Sequence, residues 1–103
     1  RYNIMPPVAR LGDADFPHCG PKPPIRMQGS PNVFVNFRPV SRQGDLNSPH
    51  LKPCGTKCCP HTAGIALGST RVFANFRGVG RLGDYIVGCT KVAQGSPNVF
   101  AGG

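Results

Sequence analysis

Tryptophan and glutamate are both missing from this 103-residue chain. With no glutamate, the acidic residues are four aspartates, Asp13, Asp15, Asp45 and Asp84. Paired-carboxylate acid–base chemistry therefore has little to draw on. Large aromatics are few, two Tyr and six Phe, and only 39% of residues are apolar, so any core is thin. No apolar run approaches the ~18 residues of a transmembrane helix. No signal peptide is legible; the first methionine is Met5, so residues 1–4 are read either as artificially added or as upstream sequence. No five like charges occur in a row. No segment carries the 3.6-residue apolar period of an amphipathic helix.

Glycine and proline, by contrast, are abundant, at 14 and 12 residues. Both oppose helix interiors, which excludes a helix bundle or coiled coil. Twelve Lys and Arg against four Asp give a formal charge of +8. Such an excess suits an anionic partner, nucleic acid or a membrane surface. The basic residues are scattered singly, however, which favours a solvated surface over a nucleic-acid patch. Five Cys and three His are many for this length, so disulfides or a metal are expected to supplement the core. An odd cysteine count without a signal peptide predicts reduced thiols in a cytoplasmic setting.

The chain repeats itself. Arg10-Leu11-Gly12-Asp13 returns as Arg42-Gln43-Gly44-Asp45 and Arg81-Leu82-Gly83-Asp84. Gly29-Ser30-Pro31-Asn32-Val33-Phe34 returns as Gly68-Ser69-Thr70-Arg71-Val72-Phe73, then unchanged at Gly95–Phe100. Three copies result, near 6–36, 37–75 and 76–101, and they predict one domain over 1–103. Val33, Val35 and Phe37 alternate with Phe34, Asn36 and Arg38, and 72–77 do likewise, a strand period. Asn36-Phe37 and Asn75-Phe76 are expected at hairpin turns, with second strands over 39–42 and 78–82. A type I′ turn needs positive φ at both central residues, which Phe resists, so the turn type stays open there, with a wider loop and the Phe packed on a partner as one alternative. Asp13, Asp45 and Asp84 read as turn residues bonding nearby backbone N–H groups rather than as catalysts. Copies too short to bury a core singly must pack on one another. The expectation is an all-β fold with pseudo-threefold symmetry.

Every His and Cys falls in the loops between the two signatures, 14–28, 46–67 and 85–94. His18, His50 and Cys89 each stand five residues after a Gly-Asp aspartate. Equivalent loops around one axis would bring these three together, and a tetrahedral N/S metal site needs one more ligand. His61 can fill that place, giving a closed His3Cys set of structural type. Cys19, Cys54, Cys58 and Cys59 are alternatives for the fourth ligand, ligands of a second metal, disulfide partners or inert thiols.

The repeated phrases make the chain resemble the PAAR-repeat family. Pro7-Val8-Ala9-Arg10, Pro39-Val40-Ser41-Arg42 and Gly78-Val79-Gly80-Arg81 hold the place of the Pro-Ala-Ala-Arg motif that leads into Gly-Asp. Gly-Ser-Pro-Asn-Val-Phe is a phrase of the same family, and the resemblance runs from Met5 to Gly102. The later motifs have drifted, and the third lacks Pro. The resemblance implies a small conical β fold whose apex zinc is held by three His and one Cys, matching His18, His50, His61 and Cys89. It further implies a non-enzymatic tip that caps the trimeric β-helical spike of a type VI secretion system, phage tail or related injection machine.

In that reading Val33, Phe34, Val72, Phe73, Val99 and Phe100 supply the core and part of the spike-binding base. Effector cargo and the target envelope are further partners. Assembly would occur in the bacterial cytoplasm or in a phage-like particle, with delivery outside the cell. No fused toxin domain is expected after Gly103. The alternatives are a small zinc module contacting nucleic acid, supported by the charge, and a Cys-His or metal hydrolase. For the hydrolase, Cys58 or Cys59 near His61 is the single supporting feature.

Overall fold

Tight turns lie at Asn36-Phe37 and Asn75-Phe76, where both residues of each pair have positive φ, between 54° and 67°. In a computed structural model that describes residues 5–103, these are two-residue hairpin turns of type I′. They join β1 (Phe34–Val35) to β2 (Arg38–Pro39), and β5 (Phe73–Ala74) to β6 (Arg77–Gly78). Between them lies a longer antiparallel hairpin, β3 (His50–Cys54) with β4 (Lys57–His61). The fold is all-β, and the described residues form no helix. Of the turn types left open at Phe37 and Phe76, the tight one is found and the wider loop is not: each Phe accepts the left-handed conformation, and its side chain is fully exposed (100% and 101%). Nothing crowds it, so the turn stays tight. The strand alternation read across 33–38 and 72–77 is likewise broken by these turns after two residues.

The expected second strands 39–42 and 78–82 pair only briefly with their own hairpins. Their remainders pair with other copies. Arg10 bridges Val40, Arg42 bridges Val79, and Arg81 bridges Val8. Inside these bridges runs a closed ring of hydrogen bonds. Ser41 N–H donates to the Ala9 carbonyl (2.9 Å), Ala9 N–H to Gly80 (2.8 Å) and Gly80 N–H to Ser41 (2.7 Å). These are the third residues of the three drifted motifs, and all are small because they meet at one point. A Cβ on Gly80 would run into the Ile65 side chain and lie 3.2 Å from the Ser41 carbonyl.

Each Arg-x-Gly-Asp is a tight turn. The Asp N–H donates to the Arg carbonyl three residues earlier, at 2.9–3.0 Å. The intervening Gly12, Gly44 and Gly83 have φ of 84–90°, which only glycine adopts cheaply at the third position of a type II turn. The Asp carboxylate in turn accepts the Arg backbone N–H, at 2.8 Å in all three copies, and grips the same residue's guanidinium. Arg38 and Arg77 add a second guanidinium to Asp13 and Asp45. Each Gly-Ser signature is also a capped turn: Ser30, Ser69 and Ser96 Oγ accept the N–H of Val33, Val72 and Val99 at 2.8–2.9 Å.

Apolar burial is divided between two clusters. One holds Val8, Val40, Val79, Ala74 and Ala101, with Val35 against it. The other holds Ala9, Ala63, Ile65, Ile86 and Val92, with Cys89 against it. Val33, Phe34, Val72, Phe73, Val99 and Phe100 are absent from both and are exposed, which corrects their assignment to the core. In two-residue strands only one side chain can face inward, and Val35 and Ala74 take that place. Small β-branched residues and alanines fill the narrow space where the copies meet.

Candidate metal centre

The β3–β4 hairpin decides where two of the histidines go. Gly55, with φ 66°, starts its two-residue turn, the position at which a type II′ turn requires glycine. That turn sets the register, and His50 comes to stand directly opposite His61. Side chains alternate along a strand, so His50 and His61 share one hairpin face with Cys54 and Cys59. Cys89 is placed by a separate tight turn in which its N–H donates to the Ile86 carbonyl, 2.9 Å. His18 comes from the first loop, tied down by the bridges Ala14–Ile25 and Asp15–Val92.

His18, His50, His61 and Cys89 converge, with their ligand atoms all within 4.8 Å of one another. His18 Nε2 lies 3.0 Å from His61 Nε2 and 3.1 Å from His50 Nε2. Cys89 Sγ lies 3.2 Å from His50 Nε2 and 3.5 Å from His18 Nε2. His50 Nδ1 sits 2.8 Å from the Ser48 carbonyl, so Nδ1 carries the proton and Nε2 turns its lone pair inward. Four potential ligand atoms face one another, and this group could hold a metal ion. Burial lowers the pKa of His18 and His61 below the usual imidazole value, and neighbouring His50 and Lys52 push the same way. Neutral imidazole is the form that binds metal.

The other four cysteines are spent elsewhere. Cys19 pairs with Cys58 and Cys54 with Cys59, with Cα separations of 6.0 and 5.9 Å, inside the usual disulfide range. Cys89 alone is free. The expectation of reduced thiols is thereby corrected, and so is any role for Cys19, Cys54, Cys58 or Cys59 as the fourth ligand. The physical reason is the hairpin, which turns Cys54 and Cys59 to one face and Cys58 to the other, toward Cys19. Spacing alone carries no such pairing.

Beneath the cluster lies a polar layer that motif reading passed over. Asp15 and Arg26 form a fully buried ion pair at 2.8 Å, and Asn47 donates to the same Asp15 oxygen at 3.0 Å. Burial raises the Asp15 pKa, opposed by Arg26 and Asn47. The signal was present in the repeat: Asp15, Asn47 and Ile86 each stand two residues after a Gly-Asp aspartate, and all three are buried.

No family model and no curated protein matches this sequence. The repeat, the site and its geometry therefore carry the functional argument.

Proposed function

We propose that this chain is a non-enzymatic tip protein that caps a trimeric β-helical spike of a contractile injection machine, with a zinc ion pinning its apex. The closed ring of Ala9, Ser41 and Gly80 carries this reading. Three copies joined head to tail about one point offer a threefold partner three nearly equal contacts. Exposed Val33, Phe34, Val72, Phe73, Val99 and Phe100, with Phe37 and Phe76 at the hairpin tips, supply the apolar surface for it. A fully exposed Phe held at φ of 66–67° gains nothing in the isolated chain, so a partner best explains its presence.

Zinc fits the donor set. Tetrahedral zinc with ordinary bond lengths separates N ligands by about 3.3 Å and N from S by about 3.5 Å. Four of the six separations here run from 3.0 to 3.5 Å, and the other two lie within 4.8 Å. Three His and one Cys close the coordination sphere, the arrangement of a structural rather than a catalytic site. The metal would tie loops of all three copies together, and its binding energy would act as folding energy. Assembly in a bacterial cytoplasm or phage-like particle, with exposure outside the cell on firing, belongs to the same proposal, as do effector cargo and transient envelope contact.

The test is co-expression with a candidate trimeric spike protein, followed by native mass spectrometry. One chain per trimer, lost in Phe37→Gly/Phe76→Gly, is expected. Salt-sensitive nucleic-acid binding with no affinity for any spike trimer would overturn the proposal in favour of a nucleic-acid module. Six arginines already engaged by aspartates speak against that module.

A further inference from the structure

Asn47 is fully buried, and its amide orientation is fixed by its neighbours. Ala63 N–H donates to its Oδ1 at 2.9 Å, so the NH2 group must point the other way. One N–H goes to Asp15 Oδ2 at 3.0 Å. The other has, among the described residues, one acceptor within reach, Cys89 Sγ at 4.0 Å. Arg26 holds Asp15 in turn through Nε (3.1 Å) and Nη2 (2.8 Å), and its Nη1 donates to the Asp45 carbonyl. The chain Arg26–Asp15–Asn47–Cys89 therefore crosses all three copies and ends on a ligand atom.

From this we infer that Asn47 is the positioning residue of the metal centre, donating an N–H···S hydrogen bond to the Cys89 thiolate. The role rests on the metal reading above. A buried amide N–H is satisfied poorly by a neutral thiol and well by a thiolate. Metal binding deprotonates the sulfur, so the bond strengthens as the site fills. The bond also orients Cys89, which lies on the one ligand-bearing turn lacking a histidine. In the third copy the position equivalent to Asn47 is Ile86, which offers no donor; Thr90 Oγ1 of that copy lies 3.8 Å from Cys89 Sγ but gives its proton to the Phe16 carbonyl, so the amide donor comes from the second copy.

The experiment loads the full chain with 113Cd2+ and follows the Asn47 side-chain amide by NMR. On loading, one Asn47 amide proton is expected to move downfield and to show through-hydrogen-bond coupling to 113Cd. In parallel, the near-isosteric Asn47→Leu is loaded with Co2+. Its sulfur-to-cobalt charge-transfer band is expected to shift to lower energy, and its metal affinity to fall about 10- to 100-fold. A merely structural loss would lower stability without moving the band. Wild-type protein that binds Cd2+ with no change at the Asn47 amide overturns the positioning role and leaves the metal reading standing. Wild-type protein that takes up neither ion overturns the metal reading, and the positioning role with it. The NMR arm uses wild-type protein and decides the matter even where Asn47→Leu does not fold.

Discussion

His50 and His61 face each other across the β3–β4 hairpin, in direct register, with both imidazoles directed at the same cluster as His18 and Cys89. One element thus supplies half of the candidate ligand set. Replacing Gly55 with Val would strain the turn at φ 66° and loosen both ligands together. The expected result is weaker metal binding by Gly55→Val than by a surface control, read by competition with a chromogenic chelator.

Metal removal is expected to cost stability rather than activity. Protein purified without added metal should contain about one zinc per chain. At free zinc a thousandfold above its dissociation constant, binding stabilises the fold by about 4 kcal/mol, roughly 16–32 °C in melting temperature for a domain of this size. His18→Ala, His50→Ala, His61→Ala and Cys89→Ala should each abolish that zinc-dependent rise, measured by calorimetry with and without chelator.

Stability of the metal-free protein should fall on acidification. Burial holds His18 and His61 below their unfolded pKa near 6.5. As pH drops through 6.5, the unfolded chain takes up protons that the folded chain refuses, and unfolding is favoured. The contribution is complete above pH 6.5 and lost below it. Denaturant midpoints between pH 8 and pH 5 should show this slope, and His18→Asn/His61→Asn should flatten it.

Phe37 and Phe76 set stability against binding. A non-glycine residue at positive φ is strained by about 1–2 kcal/mol, and neither ring is buried. Phe37→Gly and Phe76→Gly should each raise the stability of the isolated chain by up to about 1 kcal/mol, because the flexibility of glycine offsets part of the relief. The same changes should weaken capture by the spike partner.

Thiol titration of the denatured, unreduced protein should find one free thiol, from Cys89. The Cys19–Cys58 bridge spans 39 residues of sequence, which in the chain-entropy account is worth about 4 kcal/mol. Cys19→Ser/Cys58→Ser should therefore melt well below wild type. At the hydrogen-bonded ring, Gly80→Ala should cost about 1–3 kcal/mol through overpacking, and adding Ile65→Val should restore part of it.

Much of this was legible before any coordinates. The repeat located every turn aspartate, because Arg-x-Gly-Asp closes locally through bonds among four residues. The five-residue offset singled out His18, His50 and Cys89, and the converging ligand atoms agree with that selection. Core membership was not legible. Val33 and Val35 are chemically alike, yet only Val35 packs against the buried cluster, since facing is decided by where the neighbouring copy lies. The disulfides were not legible either, because Cys58 and Cys59 differ only in the hairpin face they occupy.

By itself, the sequence determined the local geometry: three tight glycine turns, three serine-capped turns and the ligand types, all set by interactions spanning only a few residues. The tertiary structure alone decided which equivalent positions meet. The Ala9–Ser41–Gly80 ring, the His50–His61 register and the Arg26–Asp15–Asn47–Cys89 chain join residues far apart in sequence. Such contacts depend on the packing of copy against copy, which no single repeat encodes.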